Sequence, residues 1–235
     1  MLSVVLVEPE HESNVGMVAR VMKNTGFSDL ILVNPKCRIG KEAVMFSKHA
    51  TDVLKNARVF KTLDEAIKDF DYVIGTTGVL RKYKKTDRGM VMLGDFIKRA
   101  KPYLSSRTAI LFGREGMGLS AEEMEMCDFV LSIEANPEYP VFNLSHAAAI
   151  ILYSLSRCRE KGRGKVETLA SKEERKTLEL LFKQISSHYQ LRNPRRVNAS
   201  WKKVLSKSML TQKEARSLLK VFRLISESSG NLKKC

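Results

Sequence analysis

Three segments of the chain place Gly, Asn, Ser, Arg and Glu beside apolar runs, the place where open α/β sheets bind their ligands. The first runs Glu8-Pro-Glu-His-Glu-Ser-Asn-Val-Gly-Met-Val-Ala-Arg20. Asn14 suits a helix N-cap, Gly16 allows another backbone to approach, and Arg20 follows about one and two-thirds turns along the helix. Taken alone, the segment also fits an ordinary capped helix with a surface arginine. The second, Leu111 to Glu123, sets Gly113, Gly116 and Gly118 within six residues. Such density serves a loop that hugs a ligand or folds tightly on itself. Its GxxGxG spacing is neither the GxGxxG dinucleotide fingerprint nor a P-loop, and Ser120 with Glu123 reads as a capping box that leaves Ser120 no chemical role. In the third, Ala135 to Ala149, Pro137 and Pro140 hold a loop, and Asn143 or Ser145 can cap the helix that follows.

Cations form a second pattern. Residues 80–88 carry Arg81, Lys82, Lys84, Lys85 and Arg88 around Tyr83, a composition suited to phosphate contact with base stacking. Arg192, Arg195 and Arg196, followed by Trp201, Lys202 and Lys203, make another such surface. A solvated basic loop is the alternative for either. Residues 1–156 hold 20 Lys/Arg and 19 Asp/Glu, whereas residues 157–235 hold 21 and 7. The last third therefore carries nearly all of the net charge of +15 and suits a polyanion, of which nucleic acid is the commonest in a cytoplasm. The scattered Cys37, Cys127, Cys158 and Cys235 form no CxxC pair, and the four histidines lack metal-site spacing, so a reducing cytoplasm and no metal are expected. No signal peptide or membrane span is expected either, since the apolar run Leu2 to Val7 lacks a basic n-region and meets Glu8, Pro9 and Glu10 at once, and no 18-residue apolar stretch occurs.

The elements that position these residues alternate. Strands are predicted at 4–7, 30–33, 58–60, 72–75, 109–112 and 129–133, and helices at 14–25, 42–55, 63–69, 93–103, 121–126 and 144–159. The alternation gives an α/β domain with an open, largely parallel sheet over residues 1–160. Residues 161–170 read as a linker, and 171–235 as a basic helical extension for RNA binding or dimerisation. Leu178, Leu181, Phe182 and Ile185 mark one amphipathic helix of that extension, and Leu218, Leu219, Phe222 and Ile225 another. Between them 192–201 is predicted to be a loop broken by Pro194, with a short helical piece near Val204.

Together the stretches NxGxxAR, FGxExxGL and xxNxSxAxAI resemble, in order and spacing, the three motifs of the SpoU branch of the SPOUT methyltransferases. FGREGMGLSAEE followed by ANPEYPVFNLSHA is similar to the TrmJ type of tRNA 2′-O-ribose methyltransferase. The resemblance implies a C-terminal trefoil knot, a homodimer, S-adenosylmethionine as cofactor and tRNA as substrate, at nucleotide 32 with cytidine favoured. Ribosomal RNA as substrate, or an RNA-binding protein without catalysis, are the alternatives. By position, the resemblance places Thr76, Thr77, Gly78, Gly113, Ile133, Val141 and Phe142 on the cofactor. It nominates Arg20 as the catalytic residue, with Asn14, Glu115 and Asn143 orienting it or the ribose. A guanidinium stays charged, so the safer role for Arg20 is binding phosphate and stabilising alkoxide character. One departure stands out: Val141-Phe142-Asn143 lacks the hydroxyl residue that many SpoU-type sequences carry there, which weakens any role for a serine in proton transfer.

Overall fold

A computed structural model describes residues 2–78, 89–160, 168–189 and 193–231. The chain divides into two compact units, one formed by Met1–Thr86 with Met90–Lys165 and the other by Asp87–Gly89 with Val166–Cys235.

The first unit is built on a seven-stranded sheet. Its strands are β1 (Leu2–Val7), β2 (Asp29–Val33), β3 (Arg58–Phe60), β4 (Tyr72–Thr76), β5 (Gly89–Met92), β6 (Thr108–Phe112) and β7 (Phe129–Ser132), in the order β3-β2-β1-β6-β4-β7-β5. The pairings β1–β2, β1–β6, β2–β3, β4–β6 and β4–β7 are parallel. After β1 the chain builds outward to β3, crosses to lay down β4, and only later fills the space between β1 and β4 with β6. That reversal is the topological switch point at which parallel sheets leave a crevice beyond their carboxyl ends. β1, β2 and β6 are almost continuously apolar because both sheet faces are covered by helices.

The covering helices are α1 (Glu12–Asn24), α2 (Lys41–Ser47), α3 (Thr51–Lys55), α4 (Leu63–Ile67), α5 (Leu93–Ile97), α6 (Lys101–Ser105), α7 (Ala121–Glu125) and α8 (Leu144–Glu160). One sheet face packs Val5, Val7, Ile31, Ala109, Leu111 and Val130 against Leu63, Ile67, Phe70 and Met124. Tyr72, Phe96, Tyr103 and Phe129 make a cluster of edge-to-face and tilted rings with centroids 4.7–5.8 Å apart. α1 packs on both α2 and α8. Gly16 makes the α1–α2 approach possible, since a Cβ there would lie 2.3 Å from the Ala43 carbonyl oxygen. Glu12 in turn accepts from Gly40 N (3.1 Å) and Ala43 N (3.3 Å) at the start of α2.

Several elements depart from the sequence expectation. β5 is an additional strand. The helix expected over 42–55 is two, interrupted where Lys48 takes a left-handed φ of 54°. The one expected over 93–103 also divides, with Pro102 entering the first turn of α6.

In the second unit, α9 (Lys172–His188), α10 (Pro194–Ser208) and α11 (Gln212–Asn231) enclose Ala170, Leu178, Leu205, Ala215 and Leu219. Ser171 and Glu174 cap α9 reciprocally. The loop predicted over 192–201 is instead the start of a 15-residue helix: Pro194 occupies its first turn, where a missing N–H costs nothing, and the Asn193 side chain accepts from Arg196 N. Trp201 stacks on Phe182 at 4.7 Å and 17°, so it packs the interior of this unit instead of joining a base-stacking surface. Among the described residues no helix is long and apolar enough to cross a membrane.

Candidate active site

The carboxyl ends of β4, β6 and β7 open into one cleft, closed on its far side by residues 140–144 and by the first turns of α8. Thr76, Thr77, Gly78, Gly113, Ile133, Val141 and Phe142 all line it, together with Leu119, Leu131 and Leu144. Thr76 Oγ1 donates to the Leu111 carbonyl (2.8 Å) and Thr77 N to Leu131 O (3.0 Å), so both threonines tie β4 to its neighbours just where the cleft begins. Gly78 leaves room for the 140–141 strand of chain: a Cβ there would stand 3.2 Å from Val141 Cα.

Gly113 has a different reason. A Cβ would come within 2.1 Å of Gly118 C and 2.2 Å of Leu119 N, which shows that the 113–119 loop is folded onto its own backbone. Gly118 takes φ +67° and donates from its N–H to Arg114 O (2.8 Å). Of the two uses foreseen for this glycine cluster, tight folding accounts for Gly113 and Gly118, and Gly116 meets only Glu10 at 3.9 Å.

Glu115 leaves this loop for the start of α1. Its carboxylate accepts from Glu10 N (2.9 Å), His11 N (3.2 Å) and Asn14 Nδ2 (2.9 Å). Asn14 is therefore not the helix N-cap. His11 occupies that position without a side-chain cap bond, and Asn14 sits inside the first turn, buried, with its amide turned to Glu115. Glu115 does from outside what an N-cap residue does from within, satisfying an orphan N–H and placing negative charge at the helix start. Asn143 caps instead: its Oδ1 accepts from both Ser145 N and Ser145 Oγ at 2.8 Å, at the beginning of α8.

Arg20 stands apart from these. It lies about 9 Å along α1 from Asn14 and about 120° round the axis, is exposed, and has no hydrogen bond or ion pair among the described residues. Asn14, Asn143 and Arg20 do not line the cleft, whereas Glu115 does. Of the predicted RNA contacts, Arg195 and Arg196 are exposed on α10, and Lys202 and Lys203 are half-buried one pair of turns later. Arg81, Lys82, Lys84, Lys85, Arg88 and Arg192 lie outside the described residues.

The sequence does not mark the ion-pair network at the cleft wall, whose centre, Arg114, itself lines the cleft. Arg114 donates from Nε to Glu8 (2.7 Å), from Nη1 and Nη2 to the two oxygens of Glu123 (3.0 and 2.9 Å), and from Nη1 to Gly118 O (3.2 Å). These bonds, that to Glu123 foremost, raise the guanidinium's hold on its proton. Glu8, bonded also to Lys36 (3.0 Å) and Asn34, is held below the ordinary carboxylate range, the Lys36 bond contributing most. Glu123 keeps its place in the capping box with Ser120. The one sequence signal was an arginine directly after a strand-end glycine, and the capping box had already explained its partner.

Comparison with known proteins matches residues 1–153 to the SpoU rRNA Methylase family. The tRNA (cytidine-2′-O-)-methyltransferase TrmJ of Methanocaldococcus jannaschii is 36% identical over 231 residues, spanning 95% of this chain and 99% of that protein. The enzyme of the same description from Sulfolobus acidocaldarius is 36% identical over 228 residues, 95% and 93% of the two chains. Among solved structures, a probable methylase family protein from Haemophilus influenzae superposes with a TM-score of 0.70 at 26% identity, covering 99% of this chain and 98% of that one. The family match takes in every strand and all three motifs, and on it the chain belongs to the SpoU methylase family.

Proposed function

We propose that the chain is an S-adenosylmethionine-dependent tRNA 2′-O-ribose methyltransferase acting at nucleotide 32, cytidine preferred. The observation that carries this reading is the convergence of β4, β6 and β7 on one cleft lined by Thr76, Thr77, Gly78, Gly113, Ile133, Val141 and Phe142. The fit to the cofactor is chemical. Apolar Ile133, Val141 and Phe142 suit the faces of an adenine, and the close-set peptides around Gly78 and Gly113 offer N–H and C=O groups to its edge and to the sugar. The 36% identity to two enzymes described as tRNA (cytidine-2′-O-)-methyltransferases, along nearly their whole lengths, supports the substrate.

When bound, S-adenosylmethionine supplies a methyl group activated by its sulfonium. The protein's part is to bring a ribose 2′-hydroxyl to it and to stabilise negative charge as that oxygen gives up its proton. Arg20, exposed and without a partner among the described residues, holds the adjoining phosphate and the developing alkoxide. Glu115 is a positioning residue: with three donors already on its carboxylate, it fixes the start of the helix that carries Arg20. Asn143 spends its carbonyl oxygen on α8 and keeps its amide N–H groups for the ribose.

Residues 1–160 form the methyltransferase domain, knotted at its C-terminal end, and 171–235 the RNA-binding extension, whose core also takes in Ala170 at the end of the linker. The enzyme works in the cytoplasm as a homodimer without metal. Exposed Val44 and Met45 on α2 and Tyr153 on α8, the two helices that pack on α1, supply apolar surface for the pairing. Incubating the protein with total RNA and labelled cofactor, then mapping 2′-O-methylation, tests the reading. Label at tRNA nucleotide 32 is expected, and label confined to ribosomal RNA overturns it.

A further inference from the structure

Arg114 and Gly118 are joined twice. The Gly118 N–H donates to the Arg114 carbonyl (2.8 Å), and the Arg114 guanidinium donates back to the Gly118 carbonyl (3.2 Å), closing the loop that forms one wall of the cleft. The same guanidinium reaches out of the loop to Glu8, just past the end of β1, and with two parallel bonds to Glu123 on α7. Side-chain exposures of 20% for Arg114, 21% for Glu8 and 15% for Glu123 place this cluster largely out of water, where such bonds count most. Its anchor on β1 is backbone under constraint. Glu8 at φ 48° and Asn34 at φ 45° both occupy the left-handed region that non-glycine residues avoid, and they bond to each other through their side chains.

Resting on the cofactor reading above, we propose that Arg114 is the positioning residue of the cofactor cleft. Its planar fork clamps the 113–119 loop between the end of β1 and the start of α7, and so sets the shape of the wall formed by Gly113, Leu119 and the peptides between them. Four bonds to acceptors on three separate segments need donors spread over a rigid plane. A lysine ammonium offers three donors from one point and cannot span them. Without the fork the loop keeps its sequence, its glycines and the Glu115 bonds to Glu10, His11 and Asn14, but loses its bonds to Glu8 and to Glu123 on α7. The wall then no longer stands preformed, and bound cofactor must order it at the expense of affinity.

The test compares the full-length parent with Arg114→Lys, Arg114→Gln and Glu8→Gln. Hydrogen exchange of the ligand-free proteins reads the loop without any cofactor, and calorimetry with S-adenosylmethionine, tRNA binding and steady-state methylation read the consequence. Arg114→Lys and Arg114→Gln are expected to speed exchange over 113–119, weaken S-adenosylmethionine about tenfold and raise its KM accordingly. They should leave kcat at saturation within about twofold, with tRNA affinity and exchange in residues 168–231 unchanged. Glu8→Gln, which keeps a hydrogen-bonding oxygen but removes the charge, should fall between parent and Arg114→Gln. Unaltered exchange over 113–119 in both Arg114 variants overturns the proposal. So does a fall in all affinities together with faster exchange everywhere, which marks a residue that only stabilises the fold. Faster exchange confined to the loop in the Arg114 variants, with a parent that binds no S-adenosylmethionine, overturns the cofactor reading instead and leaves Arg114 as the loop's clamp.

Discussion

Asn14 Nδ2 donates to Glu115 Oε1 at 2.9 Å, joining a helix start to a loop 101 residues later in the chain. The bond spans adjacent strand ends, β1 leading into α1 and β6 into the glycine loop, and it exists because β6 inserts beside β1. Replacing Glu115 by Ala strips three donors of their acceptor, one of them on a buried amide. We expect a loss of about 1–3 kcal/mol in unfolding free energy, measured by urea denaturation, while Glu115→Gln, which can satisfy some of the three, loses less.

Arg20→Ala should abolish methyl transfer while S-adenosylmethionine affinity stays within a few-fold, because Arg20 is absent from the cleft lining. Single-turnover kinetics beside calorimetry measures both. Activity equal to the parent would remove Arg20 from the mechanism.

Glycines 113 and 116 lie three residues apart, yet alanine should be costly at the first and nearly neutral at the second. At 113 the added Cβ would strike backbone at 2.1 Å, and backbone cannot swing aside as a side chain can, so a destabilisation of about 3 kcal/mol or more is expected. At 116 the nearest atom is the end of the Glu10 side chain, 3.9 Å away, and the thermal midpoint should scarcely move.

Acid should reach the network through Glu8. Its carboxyl titrates below the ordinary 4.5 in the folded chain, chiefly through Lys36. The stability this provides is fully present above that ordinary value and is lost as pH falls through the lower folded one. Glu8→Gln is thus expected to lower stability at neutral pH and to flatten its decline below pH 4.5, as followed by denaturation at a series of pH values.

Arg195 and Arg196 of α10 are followed seven residues later by Lys202 and Lys203, which returns Arg195 and Lys202, and Arg196 and Lys203, to one face. Reversing Arg195 and Arg196 to Glu should weaken tRNA binding, leave cofactor binding intact, and reduce the slope of log affinity against log salt by about 0.7–0.9 for each phosphate no longer neutralised. An unchanged slope would take this face out of the RNA surface.

Much of this architecture is legible in the residues themselves. The apolar runs at 30–33 and 109–112 declare buried strands, and Ser120 with Glu123 declares a helix start that the structure contains. β5 escapes because Gly89–Met92 is four residues long and follows a charged run, with no alternation to mark it. Pro194 misleads because proline breaks a helix anywhere but in its first turn, and only the Asn193 cap reveals that this is the first turn. Strand order is the deeper gap. Nothing local says that β6 lies against β1, so the meeting of Glu8 with Arg114, 106 residues apart, could not be read from either neighbourhood.

Trp201 is the chain's single tryptophan, and it lies stacked on Phe182 and beside Phe222, with its indole N–H buried and without a hydrogen-bond partner among the described residues. The α/β unit has tyrosines and phenylalanines but no indole. Selective excitation of tryptophan therefore gives an optical signal from the helical unit alone, while circular dichroism sums over both. If the two units melt independently, the two signals will part during denaturation, and the fluorescence midpoint will belong to the extension; if they coincide, the chain unfolds as one cooperative body.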